Sequence, residues 1–304
     1  MRRTPKPPLR STPPRRSLSL LRLFSPAKIN LYLHVLGRRP DGYHDLDTLF
    51  ERISLCDTLT LRKIPSGVRL RCSACGIPKG SGNLAVKAAR LLQDKYLIKS
   101  GVEITLQKKI PVSAGLGGGS SNAATALVGL NRLWRLRLSR QKLIELAGQL
   151  GSDVPFFVLD TPFARGTGRG EVLKRVQGPR KKLWHCLVKP SFGISTRQAY
   201  TGISRFLTPP KGDVRMLLRL LETGDQEPLS GLLTNSLELA LNKRLKTISG
   251  IKKKLVLEGA FASLMSGSGS TVFGLFRTEK EARRAAARLK KANRAWRVYT
   301  VSTY

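Results

Sequence analysis

Residues 111–124 read Pro111-Val112-Ser113-Ala114-Gly115-Leu116-Gly117-Gly118-Gly119-Ser120-Ser121-Asn122-Ala123-Ala124. Four glycines in five positions leave the backbone bare, and Ser120 and Ser121 lead into an apolar helical pattern of Ala123, Ala124, Leu127, Val128 and Leu130. A bare chain running into a helix can aim several free N–H groups at one anion, beside the positive end of the helix dipole. Pro111–Ser121 is therefore read as a phosphate cradle. Two common templates fail here. A Walker A loop ends in Gly-Lys-Ser/Thr, whereas Gly119 is followed directly by two serines. A dinucleotide fingerprint needs a third glycine where Ser120 stands, and it normally opens the first βαβ unit rather than lying this far into a chain. A flexible linker is the plainer alternative, but linkers are rarely followed at once by an amphipathic helix.

Upstream of the loop, Leu23–Phe24 and Ile29–Val35 alternate as extended segments, and Arg38-Arg39-Pro40-Asp41-Gly42 has turn chemistry. Strands are predicted at Thr58–Leu61, Val68–Cys72 and Val102–Leu106, and a helix at Leu84–Tyr96 capped by Asn83. Downstream, the loop's helix ends near Leu133 and Ser139 caps a helix over Gln141–Leu150. The short apolar run Val154–Phe157 follows, introduced by Asp153. Gly166, Gly168, Gly170 and the Gly178-Pro179 turn mark a domain boundary. The second half alternates strands (Leu183–Val188, Thr271–Phe276, Val298–Val301) with helices (Asp213–Leu221, Pro228–Leu241, Glu279–Ala292). This suits an α+β domain with helices on one face of an antiparallel sheet.

The 304 residues are enough for two packed domains, and 41% apolar with 24% charged residues is ordinary soluble composition. Cys72 and Cys75 form half of a zinc pattern without a second half, so the four cysteines read as plain thiols in a reducing compartment. The formal charge of +36 keeps a nucleic-acid partner open, but the basic residues are spread along the chain among periodic apolar segments. Solvated basic faces are the simpler reading. Residues 1–22 carry seven basic residues, five prolines and no acid, and are expected to be a disordered tail. A transit peptide and an upstream-placed start codon both match that composition. The expected location is cytoplasmic, with a plastid-type organelle as the alternative.

Three features occur in order: Ser25-Pro26-Ala27-Lys28-Ile29-Asn30-Leu31 with Asp41-Gly42-Tyr43-His44, the glycine loop, and Leu264-Met265-Ser266-Gly267-Ser268-Gly269-Ser270. Over residues 23–304 this set resembles the GHMP kinase superfamily of small-molecule kinases. Pro-Ala-Lys-Ile-Asn-Leu plus Asp-Gly-Tyr-His resembles its branch acting on 4-diphosphocytidyl-2-C-methyl-D-erythritol. The resemblance implies an N-terminal domain (23–178) like ribosomal protein S5 domain 2 and a ferredoxin-like C-terminal domain (179–304). It implies ATP as donor, Mg2+, and the 2-hydroxyl of the cytidine diphosphate-linked polyol as acceptor, in a monomer or homodimer with no membrane partner. The family's catalytic lysine and aspartate correspond to Lys28 and Asp153.

The chemistry agrees with those roles. An alkyl hydroxyl needs a positioned carboxylate to take its proton, and a nearby ammonium holds that carboxylate ionised. The bland readings are an exposed strand lysine and an N-cap aspartate. Tyr43 and His44 resemble the branch's cytosine-binding pair, with Tyr200 placed for a second ring. Asn30 and Thr196 are candidates for the polyol diphosphate. Metal ligands stay open among Ser120, Ser121 and Glu145. Gly166-Thr-Gly-Arg-Gly-Glu171 departs from the family's shorter Gly-x-Gly-Glu turn. The other readings are a homoserine- or mevalonate-type GHMP kinase, which leaves Asp41–His44 unexplained, and a basic RNA-binding protein on an S5-like fold, which leaves Lys28 and Asp153 idle.

Overall fold

Two long antiparallel strands, β1 (Leu20–Arg38) and β2 (His44–Ile64), carry the fold. They belong to a computed structural model that describes residues 19–201, 203, 214–223, 229–241 and 244–304. Residues 1–18 of the expected tail, and the predicted helix starts Asp213 and Pro228, lie outside the described residues. After β2 come β3 (Val68–Cys72), α1 (Leu84–Tyr96), β4 (Gly101–Gln107), α2 (Gly118–Leu133), α3 (Arg140–Gly148), α4 (Val154–Leu159), β5 (Phe163–Gly168) and β6 (Val172–Arg175). The larger sheet runs β3-β4-β2-β1, with β5 and β6 continuing from β2. The long β2 pairs with β4 over Thr58–Ile64 and with β5 over Leu46–Glu51. Helices α1 and α2 pack on this sheet, and α3 and α4 pack against α2 and each other, with Leu92, Leu127, Leu130, Leu146 and Phe156 all fully buried. Where the sequence predicts helix starts, the caps are made: Asn83 Oδ1 accepts from Ala85 N at 3.0 Å and Ser139 Oγ from Lys142 N at 3.2 Å.

The second half supplies β7 (Trp184–Lys189), α5 (Thr196–Thr201), α6 (Val214–Thr223), α7 (Leu229–Leu232), β8 (Thr234–Asn235), α8 (Leu245–Leu257), β9 (Ala262–Met265), β10 (Val272–Phe276), α9 (Glu279–Ala292) and β11 (Arg297–Ser302). A four-stranded antiparallel sheet, β11-β7-β10-β9, packs against α8 and α9. Two segments cross back to the first half. Strand β8 pairs in parallel with Tyr32–Leu33 of β1. At the C-terminus Ser302 N donates to Ser54 Oγ and Tyr304 N to Arg52 O.

Several predicted boundaries move. β1 starts at Leu20, so Leu20–Arg22 of the expected tail are strand, and it runs through Pro26 by means of a register shift at Pro26/Ala27. Residues 44–57 of β2 carry Asp45, Asp47, Glu51, Arg52 and Asp57, which mask the strand pattern. Except for Asp45, which pairs with nearby Arg39, their partners lie far along the chain: Asp47 takes both Arg165 bonds at 2.8 Å, and Glu51 meets His185 and Thr303. The run after Asp153 is helix α4. Pro228–Leu241, predicted as one helix, is instead α7, β8 and a 3-10 turn over Ser236–Ala240 within the described residues.

Candidate active site

Strand alternation puts Lys28 and Asn30 on one face of β1. Lys28 is buried, and its Nζ donates to Asn30 Oδ1 at 2.6 Å. Asn30 Nδ2 donates to Thr48 Oγ1 at 2.8 Å, which in turn donates to Tyr32 O at 2.6 Å. This relay fixes which way the Asn30 amide faces, and hence where the ammonium sits. Lys28 Nζ also lies 3.5 Å from Asp153 Oδ2 and 5.3 Å from the Phe50 ring centroid. Asp153 occupies the N-cap of α4, yet its side chain makes no capping hydrogen bond. Its carboxylate, about a third exposed, is left for the lysine and for whatever enters the cleft.

The glycine loop docks against the same strand, Lys28 N donating to Leu116 O at 3.0 Å. Gly115 (φ +74°) and Gly117 (φ +66°) adopt left-handed backbone, and a Cβ on Gly115 would stand 2.0 Å from Ser266 O. The second Gly/Ser loop therefore touches the first, and Ser266 Oγ closes the contact by donating to Gly115 O at 3.0 Å. Asn235 of β8 holds that second loop by donating to Met265 O and Gly267 O, each at 2.8 Å. Gly117 is the N-cap of α2 and the first intrahelical bond is Ser121 N to Gly117 O, so the amides of Gly118, Gly119 and Ser120 have no helical acceptor. These three aim the positive helix end into the cleft.

Behind the loop lies a network that sequence reading missed. Fully buried Asp57 accepts from Lys108 Nζ, from Lys109 N (2.7 Å) and Ile110 N (2.9 Å), and from Asn122 Nδ2 (2.9 Å). It clamps the strand entering the loop to the helix leaving it. Only the lysine and asparagine beside the loop hinted at it, and their partner lies 51 residues or more away.

Pro111–Ser120, Lys28, Asn30, Tyr43, His44, Asp153, Thr196 and Tyr200 all line one cleft of about 1100 Å³. Ser121 is the exception. It is fully buried, its hydroxyl meets Ser25 Oγ at 2.8 Å, and its amide is used inside α2, so it turns into the core rather than toward a phosphate. Glu145 also departs, being exposed on α3 and paired with Lys142 at 2.6 Å. Among the described residues no group of three or more His, Cys, Asp or Glu could hold a metal ion.

At the far end of the cleft the His44 and Tyr200 rings lie 5.4 Å apart, tilted by 35°. Tyr200 thus packs on the histidine. Burial pushes the Tyr200 phenol well above the usual tyrosine range, and the Asp153 carboxylate adds to the effect. Burial also holds the His44 imidazole below its ordinary value, assisted by the Arg38 charge. The ring is neutral at pH 7, with one donor and one acceptor. Thr196 Oγ1 faces Ser268 Oγ at 3.4 Å, joining α5 to the second glycine loop. Arg38, Arg169 and Ser268 line the cleft without having been singled out as site residues.

Comparison with known proteins accords with this geometry. The family model for the GHMP kinase N-terminal domain matches residues 83–161, and that for the C-terminal domain matches 217–295. The chain belongs to the GHMP kinase family. This kinase is 45% identical over 269 residues to 4-diphosphocytidyl-2-C-methyl-D-erythritol kinase of Pelotomaculum thermopropionicum, covering 88% of this chain and 93% of that one. A crystal structure of 4-(cytidine 5'-diphospho)-2C-methyl-D-erythritol kinase superposes with a TM-score of 0.81 at 35% identity, over 93% of this chain and 98% of that one. Homoserine kinase from Cytophaga hutchinsonii shares the fold, with a TM-score of 0.68 at 19% identity over 95% and 97% of the two chains. The chain has the two-domain α+β fold of the family and is an ATP-dependent phosphotransferase with a hydroxyl acceptor. No helix among the described residues is long and apolar enough to cross a membrane.

Proposed function

We propose that this kinase transfers the γ-phosphate of ATP to the 2-hydroxyl of 4-diphosphocytidyl-2-C-methyl-D-erythritol, in non-mevalonate isoprenoid biosynthesis. The observation that carries the reading is a Lys–Asp pair 3.5 Å apart sharing one cleft with the Tyr43, His44 and Tyr200 rings. Simple polyol or amino-acid acceptors give no reason for that aromatic corner.

Asp153 takes the hydroxyl proton as the oxygen attacks the γ-phosphorus and the bond to the ADP oxygen breaks. Lys28 orients the acceptor and offsets charge, with Asn30 keeping its ammonium in place. The Gly118–Ser120 amides hold the phosphates of ATP. Mg2+ fits the oxygen chemistry beside the glycine loop, where the Ser120 hydroxyl would complement nucleotide phosphates and waters as ligands. When bound it neutralises charge on the triphosphate. His44 addresses the edge of cytosine and Tyr43 its face, while Thr196 and Asn30 face the polyol diphosphate. A cytoplasmic monomer or homodimer accords with this role. Sequencing the mature N-terminus tests the organellar alternative.

ADP release is the test, measured with the cytidyl polyol against mevalonate and homoserine. Turnover of a control at a kcat/KM equal to that of the cytidyl substrate overturns the reading.

A further inference from the structure

The Gly166-Thr167-Gly168-Arg169-Gly170-Glu171 turn is not used by the mechanism above. It joins β5 to β6, and the pairing of Gly168 with Leu46 sets it beside the β1–β2 turn that carries Tyr43. Gly168 (φ +67°) and Gly170 (φ +98°) are both left-handed, so Arg169 stands in a tight reversal that residues with a Cβ rarely adopt on either side. Its guanidinium carbon lies 4.9 Å from the Tyr43 ring centroid, and its Nε donates to Glu171 Oε1 at 3.2 Å.

Tyr43 needs such a partner. Its backbone is fixed, N donating to Asp41 Oδ1 (3.1 Å) and O accepting from Arg39 N (2.8 Å), yet the residue is 55% exposed. An exposed ring on a turn loses rotamer freedom when a base stacks on it, and that loss weakens binding. A guanidinium on one face restrains the ring beforehand by cation–π attraction and leaves the opposite face open.

We propose that Arg169 is a positioning and specificity residue for the nucleobase of the substrate, holding one face of Tyr43 so that the other receives the pyrimidine. The proposal rests on the cytidyl-substrate reading. Calorimetry with CDP and with ATP, on wild type, Arg169→Ala and Arg169→Lys, tests it together with steady-state kinetics. Arg169→Ala weakens CDP about 3–10-fold and raises KM for the cytidyl substrate by a like factor, more than it lowers kcat, with ATP affinity unmoved. Arg169→Lys, which keeps a cation, recovers part of the loss. CDP affinity in Arg169→Ala within twofold of wild type overturns the proposal. Tighter CDP binding also overturns it, since the guanidinium would then occupy the base's own face, and so does a parallel fall in ATP affinity. Wild type that binds CDP through Arg169 but fails to phosphorylate the cytidyl polyol overturns the substrate reading alone.

Discussion

Lys28 Nζ sits 3.5 Å from Asp153 Oδ2, the lysine almost wholly buried and the aspartate about a third exposed. A buried ammonium is costly to leave unpaired, and Asn30 and Asp153 supply its partners. The asymmetry of exposure matches the proposed roles: the lysine is fixed within the protein, and the carboxylate is the member of the pair open to the cleft.

Replacing Asp153 with Asn removes the proton acceptor while keeping the side-chain shape. We expect kcat to fall by about 10²–10⁴-fold with ATP affinity retained. Rapid-quench turnover together with nucleotide titration checks this, and a kcat within tenfold of wild type would remove Asp153 from the mechanism.

Lys28→Met is expected to lower kcat and to strand the Asn30 amide. Because Lys28 and Asp153 act as a unit, the double variant with Asp153→Asn should be scarcely slower than the worse single variant. Full multiplicative losses in the double-mutant cycle would show that the two act independently.

Gly115→Ala forces a Cβ to within 2.0 Å of Ser266 O at a left-handed φ. The backbone carbonyl cannot step aside, so the two glycine loops must part. The expected result is a loss of at least about 2 kcal/mol or a marked rise in KM for ATP. Gly42→Ala is the control, since φ is +83° but nothing lies within 4 Å. There only backbone strain of about 1 kcal/mol is expected, read by denaturant melts.

In the proposed function His44 addresses the base edge, and burial holds its imidazole below the ordinary value of 6.5. KM for the cytidyl substrate is therefore expected to be flat from pH 8 to 7 and to rise at lower pH as the ring protonates. The stability sign follows from the same shift. The unfolded chain takes the proton first, so the contribution is intact above the unfolded value and is lost as the pH falls through the folded one. Initial rates across pH, with ATP KM as reference, check the binding arm; a KM that tracks ATP instead would assign the effect elsewhere.

Glu51 and His185, both fully buried, meet at 3.0 Å, and Thr303 Oγ1 donates to the same carboxylate oxygen at 2.7 Å. This joins β2 to β7 and to the C-terminus. Thr303→Val leaves that oxygen with one partner fewer and should cost about 1–3 kcal/mol without changing KM for either substrate. Thermal melts beside kinetics test it, and an unchanged melt would show that the contact adds nothing to stability.

What was legible in the sequence was local. Asn83 and Ser139 announce their helices because a cap needs only residues two or three positions on. The glycine loop was legible because bare backbone before a helix has one main use. The first half of β2 was not, since Asp47 and Glu51 find their partners, Arg165, His185 and Thr303, more than 100 residues away. Strand β8 escaped for a related reason: two residues inside an apolar run are a strand only because β1 lies beside them.

The sequence by itself pointed to a phosphate cradle, and through Lys28, Asp153 and Tyr43–His44 to a kinase and an acceptor. Those inferences rest on residue type and short spacing, which the chain carries without folding. Only the tertiary structure decided that Ser121 turns into the core, that Asp57 anchors the loop from behind, and that Arg169 reaches Tyr43 from a neighbouring turn. Each depends on strand register bringing distant segments within a few ångströms, and register is a property of the packed sheet that no short stretch contains.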